Sequence, residues 1–194
     1  MHEFIAMTSA QLPTGMLDLA ISNGSDLLNL KPDFSSMLHY AIMYDNDDYA
    51  FFVMRRFPEA LNIRNHCGFT PLMEAIMYHN EPVALELIRL GAEVGVLDSW
   101  GFSDLWLAVT KNLLDVVREM LSQWDGSLQN DAMDAFETAV SLKSVGAIEL
   151  LLEHPAYKTA ENIRGAVHAM TVWPGDNGKQ LAQTLRARYP ELFL

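Results

Sequence analysis

Six histidines, one cysteine and 25 carboxylates are the side chains of this chain that could do chemistry. Their spacing matches none of the common catalytic or ligand-binding motifs: there is no Gly-x-Gly-x-x-Gly, no Walker Gly-Lys-Ser/Thr, no His-Glu-x-x-His and no cysteine pair. His66 and Cys67 are adjacent, but no third group is implied nearby to orient a nucleophile and its base. We interpret them as two solvent-facing turn residues. The sequence therefore predicts no enzyme, no cofactor and no metal site.

The densest group of carboxylates lies in residues 44–49, YDNDDY. This stretch superficially resembles a calcium-binding loop, but it has neither the glycine at the sixth place nor the glutamate at the twelfth that an EF-hand needs. Asp47 or Asp48 is instead predicted to cap the N-terminus of a following helix, where negative charge is favoured. Exposed at a turn between helices, Asp45, Asp47 and Asp48 could also pair with a basic partner.

Charge and composition exclude several classes of partner. The net charge is −12 and the isoelectric point is near 4.7, whereas nucleic acids and anionic membranes attract basic surfaces. The acidic excess is greatest over residues 1–130, with 17 acids against 7 bases. A single cysteine excludes intrachain disulfides and favours a reducing compartment. The N-terminus has no basic region followed by an apolar core, and no apolar run approaches the roughly 18 residues of a membrane span. We expect a soluble cytoplasmic protein that is monomeric when free.

The clearest pattern is an internal repeat. Residues 65–75 (NHCGFTPLMEA) and 98–108 (DSWGFSDLWLA) are near copies, and Gly68 and Gly101, Leu72 and Leu105, and Ala75 and Ala108 are each 33 residues apart. Such a period indicates stacked repeats. The sequence here resembles the ankyrin-repeat family, whose repeat opens with a turn and Gly-x-Thr-Pro-Leu-His-x-Ala and closes with Gly-Ala.

This resemblance is specific over about residues 33–121 and implies an all-α solenoid of stacked helix-turn-helix units. We divide the chain as one ankyrin-repeat domain, 1–194, with an N-terminal cap at 1–30, repeats at 31–64, 65–97, 98–130 and 131–159, and a C-terminal cap at 160–194. Helical spacing predicts helices over 47–56, 71–78, 82–90, 113–123, 132–142, 147–154, 161–172 and 179–189. Residues 173–178 read as a loop between the last two helices. His39, at the signature histidine position, is expected to tie the turn to the helix by hydrogen bonds.

In ankyrin repeats the turn tips and the exposed side of the first helix form a concave groove that usually binds protein. Carried over by position, this implies a surface rich in large apolar side chains, which favours an interface. For Phe69 and Phe102, packing against neighbouring turns is an equally good explanation. The candidate partner-binding residues are Tyr44, Asp45, Asp47, Asp48, His66, Phe69, Met77, Tyr78, Trp100, Phe102 and Lys111.

The sequence thus predicts a non-enzymatic module that captures a protein partner, expected to be basic, on a concave aromatic and acidic face. Size and charge suit a dedicated inhibitor or an antitoxin-like immunity protein. A general scaffold or adaptor, or a secreted effector that recruits a host protein, is the alternative.

Overall fold

Antiparallel helix pairs follow one another along the chain and stack side by side. A computed structural model describes residues 36–124, 134–173 and 176–193; the predicted N-terminal cap at 1–30 lies outside them. Over the described residues the secondary structure is ten α-helices and two short 3-10 helices, with no β-strand. The all-α prediction is confirmed. The division into repeats and caps stays a prediction.

The helix bounds agree with the predicted ones to within three residues over the described chain. The ten α-helices are α1 (Met37–Met43), α2 (Asp47–Arg56), α3 (Pro71–Met77), α4 (Glu81–Arg89), α5 (Asp104–Thr110), α6 (Leu114–Gln123), α7 (Ala135–Ser141), α8 (Val145–Glu153), α9 (Ala160–Val172) and α10 (Asp176–Arg188). The 3-10 helices are Pro58–Asn62 and Pro190–Leu192.

A side-chain cap begins the first helix of each pair. Ser36, Thr70, Ser103 and Asp134 each accept a hydrogen bond from a backbone N–H in the first turn of α1, α3, α5 and α7. These are residue types that satisfy the unpaired donors of a helix start. Serine, threonine and aspartate thus place each first helix directly after its turn.

His39 ties a turn to a helix by hydrogen bonds, as predicted, and the turn belongs to the next unit. Its imidazole is fully buried and its Nδ1 accepts a hydrogen bond of 3.1 Å from the Ser36 N–H. Because Nδ1 is the acceptor, Nε2 carries the proton and donates to the Phe69 carbonyl at 3.0 Å. The side chain therefore joins the start of α1 to the turn before α3.

The core is built from positions that recur in every pair. Helices α1, α3, α5 and α7 pack side by side, as do α2, α4, α6 and α8, and the α9–α10 pair packs on α8. Small alanines let the first helices approach closely, and a larger apolar residue three positions before each alanine fills the space between neighbours. Burying one such larger side chain contributes about 1.5–3 kcal/mol. These buried residues are Leu38, Ala41, Leu72, Ala75, Leu105, Ala108, Phe136 and Ala139.

The turn inside each helix pair has the same strained backbone four times. Asp45, His79, Asn112 and Lys143 have φ angles of 56°, 57°, 55° and 58°, the left-handed region that favours glycine. In each case the N–H of the next residue donates to the carbonyl of the alanine just described, at 2.8–3.1 Å. This six-residue closure is a Schellman turn, here formed without glycine.

Asp104 stands where the family has proline, and its carboxylate is completely buried. It accepts hydrogen bonds from the N–H groups of Gly95 (3.0 Å) and Val96 (3.3 Å). Its own N–H donates to the Val96 carbonyl at 3.1 Å, a bond that proline cannot make. The departure from the family pattern therefore anchors the segment between α4 and α5.

Two local predictions are wrong. The N-cap of α2 is Asn46, whose side chain accepts from the Tyr49 N–H, so the two acids fall in the first turn rather than at the cap. The predicted loop over 173–178 ends early, because α10 begins at Asp176. Gly178 lies buried in that helix, where an added Cβ would come within 2.9 Å of the Trp173 ring. Glycine there permits close packing rather than a loop.

Candidate functional site: an apolar pocket between two turns

The two near-identical sequence segments form two near-identical turns. The Asn65 side-chain oxygen accepts hydrogen bonds from the N–H groups of Cys67 (2.9 Å) and Phe69 (3.0 Å). One repeat later the carboxylate of Asp98 accepts the equivalent bonds from Trp100 (2.8 Å) and Phe102 (2.9 Å). The shared asparagine or aspartate therefore sets the shape of both turns.

The second turn stacks directly on the first. The Ser99 N–H donates to the Cys67 carbonyl at 3.0 Å, and an Arg64 guanidinium N–H donates to the Leu97 carbonyl at 2.9 Å. Gly68 lies in the left-handed region at φ 77°, and a Cβ on it would be 2.7 Å from the Ser99 nitrogen. Close stacking therefore depends on this glycine having no side chain.

A pocket of about 310 Å³ opens between these turns and the C-terminal part of α5. Its walls are mostly aromatic and thioether side chains, with few polar groups. The pocket lies where the turn tips meet the exposed side of the first helices, α3 and α5. The lining residues are Phe69, Met73, Met77, Asp98, Trp100, Phe102, Ser103, Trp106, Leu107, Thr110 and Lys111.

Large apolar side chains at this face are exposed to solvent. Trp100 is 61% exposed, Tyr78 51%, Tyr44 47% and Met77 38%. Trp100 meets the Phe69 ring edge-on, with centroids 6.3 Å apart. Clusters of exposed apolar side chains commonly mark interaction sites.

The sequence did not decide whether Phe69 and Phe102 pack against neighbouring turns or form an interface. In the structure they pack against neighbours and also line the pocket. Phe69 contacts Trp100 across the two turns. Phe102 stacks on Trp106 with ring centroids 4.6 Å apart. Both are half-buried. Packing and pocket lining are thus compatible for these side chains.

The candidate acids do not line the pocket. Asp45 and Asp48 are exposed at the turn between α1 and α2, one repeat before the pocket. Asp47 accepts a hydrogen bond of 2.5 Å from the side-chain amide of Asn80, so its carboxylate joins two neighbouring turns. Lys111 is the candidate charge that the structure brings into the lining.

His66 and Cys67 lie on the outer side of the first turn. The Cys67 sulfur is 3.1 Å from His66 Nε2, and the cysteine is half-buried, although we expected both residues to face solvent. Neither residue lines the pocket. Across the described residues, no group of three or more His, Cys, Asp or Glu side chains is placed to hold a metal ion.

Sequence reasoning did not place Trp106 and Met73 at this site. Both occupy the signature histidine position, which in the first described repeat holds the buried His39. Trp106 is one helical turn before Thr110, so a spacing of four residues could have indicated a shared face. Its indole Nε1 is buried and has no hydrogen-bond partner among the described residues.

None of the helices in the described residues combines the length and apolarity that crossing a bilayer requires.

Two comparisons with known proteins agree with this architecture. The ankyrin-repeat family model matches residues 67–99, which span the first turn, α3, α4 and the start of the second turn. The nuclear factor NF-kappa-B p105 subunit of Rattus norvegicus is 29% identical over 108 residues, which is 53% of this chain and 11% of that protein. The chain therefore spans about a tenth of the length of this curated relative. Residues 67–99 thus match an ankyrin repeat, and the stacked helix pairs with their recurrent turns form an all-α solenoid of the ankyrin-repeat type, which indicates a module for protein–protein interaction.

Proposed function

We propose that this chain captures one basic protein on the concave face around the pocket and acts as a dedicated inhibitor or immunity protein. One observation carries the proposal: Met77, Tyr78 and Trp100 are exposed beside an apolar pocket where stacking has left room for another side chain. The repeat family supports protein binding in general. The identity and charge of the partner are our inference.

Affinity would come mainly from apolar burial. Inserting one leucine- or phenylalanine-sized side chain into the pocket would contribute about 1.5–3 kcal/mol. Covering Trp100 and Tyr78 at the same time would add contacts of the type that dominates interface energetics. A small number of aromatic contacts could thus supply much of the binding free energy.

The acidic charge would act mostly on the rate of association. A net charge of −12 attracts a basic protein over a distance of about one Debye length, roughly 8 Å at physiological salt. Steering of this kind raises the association rate constant more than it raises the equilibrium affinity. Binding is therefore expected to weaken as salt is raised.

An affinity pull-down from the native lysate, at low and at high salt, tests the proposed function. One basic protein, retained in stoichiometric amount and reduced by high salt, is the expected result. Several substoichiometric partners would favour the general adaptor, and a retained acidic partner would refute the charge argument. If the captured protein is an enzyme, an assay of its activity with and without the chain distinguishes an inhibitor from a scaffold.

Truncating two aromatic side chains tests the face itself. Tyr78→Ala combined with Trp100→Ala is expected to abolish partner binding without unfolding the protein. Loss of the edge contact with Phe69 costs about 0.5–1.5 kcal/mol, small against the roughly 5–15 kcal/mol that stabilises a typical domain.

A matched control removes exposed apolar side chains elsewhere. Leu90 and Val172 are 39% and 74% exposed and do not line the pocket, so Leu90→Ala combined with Val172→Ala is expected to bind normally. Normal binding by the Tyr78/Trp100 variant would refute the concave-face proposal. Loss of its helical circular dichroism would show that these side chains belong to the core.

The monomeric state and the cytoplasmic location are part of the same proposal. Sedimentation of the purified chain should give a mass near 21.8 kDa, and fractionation of the source cells should recover it with the cytoplasm.

A further inference from the structure

The exposed turns between the paired helices form a row whose charge changes from one end to the other. The C-cap residue, which directly follows each first helix, is Tyr44, Tyr78, Lys111 or Leu142. The next residue along the chain is Asp45, His79, Asn112 or Lys143, and all four are exposed. Because α1, α3, α5 and α7 stack side by side, these residues lie in order across the protein. We call them the turn row.

The charged ends of the turn row are available to a partner. Among the described residues, no ion pair uses Asp45, Asp48, Lys111 or Lys143. Asp48 follows Asp45 in the first turn of α2 and is also exposed. The row therefore runs from an acidic end at α1 and α2 to a basic end at α5 and α7.

The apolar pocket lies near the middle of this row. Met77, the last residue of α3, and Lys111, the residue directly after α5, both contribute to its lining. Tyr78, next to Met77 in the chain, is exposed, and so is Tyr44, one repeat nearer the acidic end. An apolar centre is thus flanked by opposite charges.

We propose that the occupant of this groove is an extended segment of a partner protein with two charged ends of opposite sign. This inference rests on the proposed function and specifies the chemistry of the partner. Basic side chains would lie over Asp45 and Asp48, a large apolar side chain would enter the pocket, and acidic side chains would lie over Lys111 and Lys143.

The spacing of the helices sets the length of the segment. Packed helices are about 8–10 Å apart, so three steps from Asp45 to Lys143 cover about 24–30 Å. An extended chain advances about 3.3 Å per residue, so about seven to nine residues cover the row. The apolar anchor belongs near the centre, about three to five residues from each charged end.

A uniformly basic segment fits this groove less well. Its far end would meet Lys111 and Lys143, and like charges brought together at an interface are unfavourable. Overall acidity would still steer a basic protein toward the chain. The turn row would therefore select partners by the order of charges along the bound segment.

Selection from a library of random 12-residue peptides displayed on phage, against the immobilised full chain, tests this inference. Enriched peptides are expected to contain a large apolar residue with basic residues on one side and acidic residues on the other. Their affinities, measured by fluorescence anisotropy of synthetic copies, should fall at least about tenfold with Trp100→Ala.

Charge reversal provides the sharper measurement. Lys111→Glu should weaken the selected peptide by about threefold to tenfold, the range of a few exposed ion pairs. The double variant Lys111→Glu/Asp48→Lys should bind a peptide whose basic and acidic residues are exchanged more tightly than it binds the selected peptide. The control is Lys179→Glu on α10, outside the row, which should leave the affinity of the selected peptide unchanged.

The possible failures are distinguishable. Enriched peptides without an order of charges, or peptides that still bind after Trp100→Ala, would overturn the inference. If no peptide is enriched while the pull-down still yields one stoichiometric basic protein, the extended segment is wrong and the proposed function stands. If the pull-down also fails, both are wrong.

Discussion

Replacing Gly68 with alanine should disturb both the fold and the pocket. The backbone at this residue has a φ of 77°, and the new Cβ would lie 2.7 Å from the Ser99 nitrogen and 2.7 Å from its Oγ. A left-handed conformation costs an alanine about 1–2 kcal/mol. The backbone of the second turn must also move away, which weakens the Ser99–Cys67 hydrogen bond and costs about 0.5–1.5 kcal/mol. The expected loss of unfolding free energy is about 1.5–3.5 kcal/mol.

Gly91→Ala is the matched control. Gly91 also has a positive φ, of 92°, but a Cβ there would have nothing within 4 Å. Alanine should therefore cost only the backbone term, about 1–2 kcal/mol. The difference between the two variants measures the contact between the stacked turns.

Urea unfolding followed by circular dichroism gives both values. With a slope of about 2 kcal/mol per molar urea, the Gly68→Ala midpoint should fall by about 0.8–1.8 M and the Gly91→Ala midpoint by about 0.5–1 M. Equal shifts would refute the argument that stacked turns require a glycine. If the Gly68→Ala variant binds the partner with normal affinity, the argument that turn spacing sets the shape of the pocket is refuted.

Four other substitutions probe contacts within and between the helix pairs. Asp104→Ala leaves three backbone N–H groups, those of Gly95, Val96 and Leu105, without their acceptor and should destabilise the fold by about 2–4 kcal/mol; an unchanged urea midpoint would contradict the anchoring role. His79→Gly and Lys143→Gly should each stabilise it by about 0.5–1 kcal/mol, because glycine adopts the left-handed turn without steric cost. This gain should appear as a melting temperature raised by about 1–4 °C, and a lowered one would show that the side chains contribute contacts of their own. His39→Ala removes the acceptor of the Ser36 N–H and the donor to Phe69, so the urea midpoint should fall by about 1–2 M for a loss of roughly 2–4 kcal/mol.

Much of the fold could be predicted because each repeat carries its own local signals. Asparagine or aspartate with a glycine three positions later predicts the turn, and serine or threonine predicts the start of the helix that follows. Pro58 cannot continue a helix, and α2 ends at Arg56, just before Phe57. These signals depend on residues close together in sequence, and the 33-residue period repeats them from one unit to the next.

The wrong predictions arise where two neighbouring residues are equally suitable for one structural role, or where residues distant in sequence determine the local structure. Asn46 and Asp47 are both good N-cap residues, so composition alone could not choose between them. Gly178 reads as a loop signal, but its role is set by the Trp173 ring against it. The hydrogen bonds of Asp104 to Gly95 and Val96 likewise depend on how the segment before α5 folds back on it.

The pocket was harder to predict than the helices. Exposure of Trp100, Tyr78 and Met77 agrees with the positions expected from the family groove. The participation of Trp106 depends on its stacking with Phe102 and on the separation of two repeats. The sequence pattern of one repeat carries no information about the distance between two stacked repeats.

The four left-handed turns have a consequence for how this surface can change. Aspartate, histidine, asparagine and lysine adopt almost the same φ there, so the stacked helices impose the backbone and the side chain is not needed to form it. A mutation at one of these turns can therefore alter the charge displayed while the chain path stays fixed. Recognition could diverge between related proteins one turn at a time, each change nearly neutral for folding, and an engineer could recode the surface in the same way.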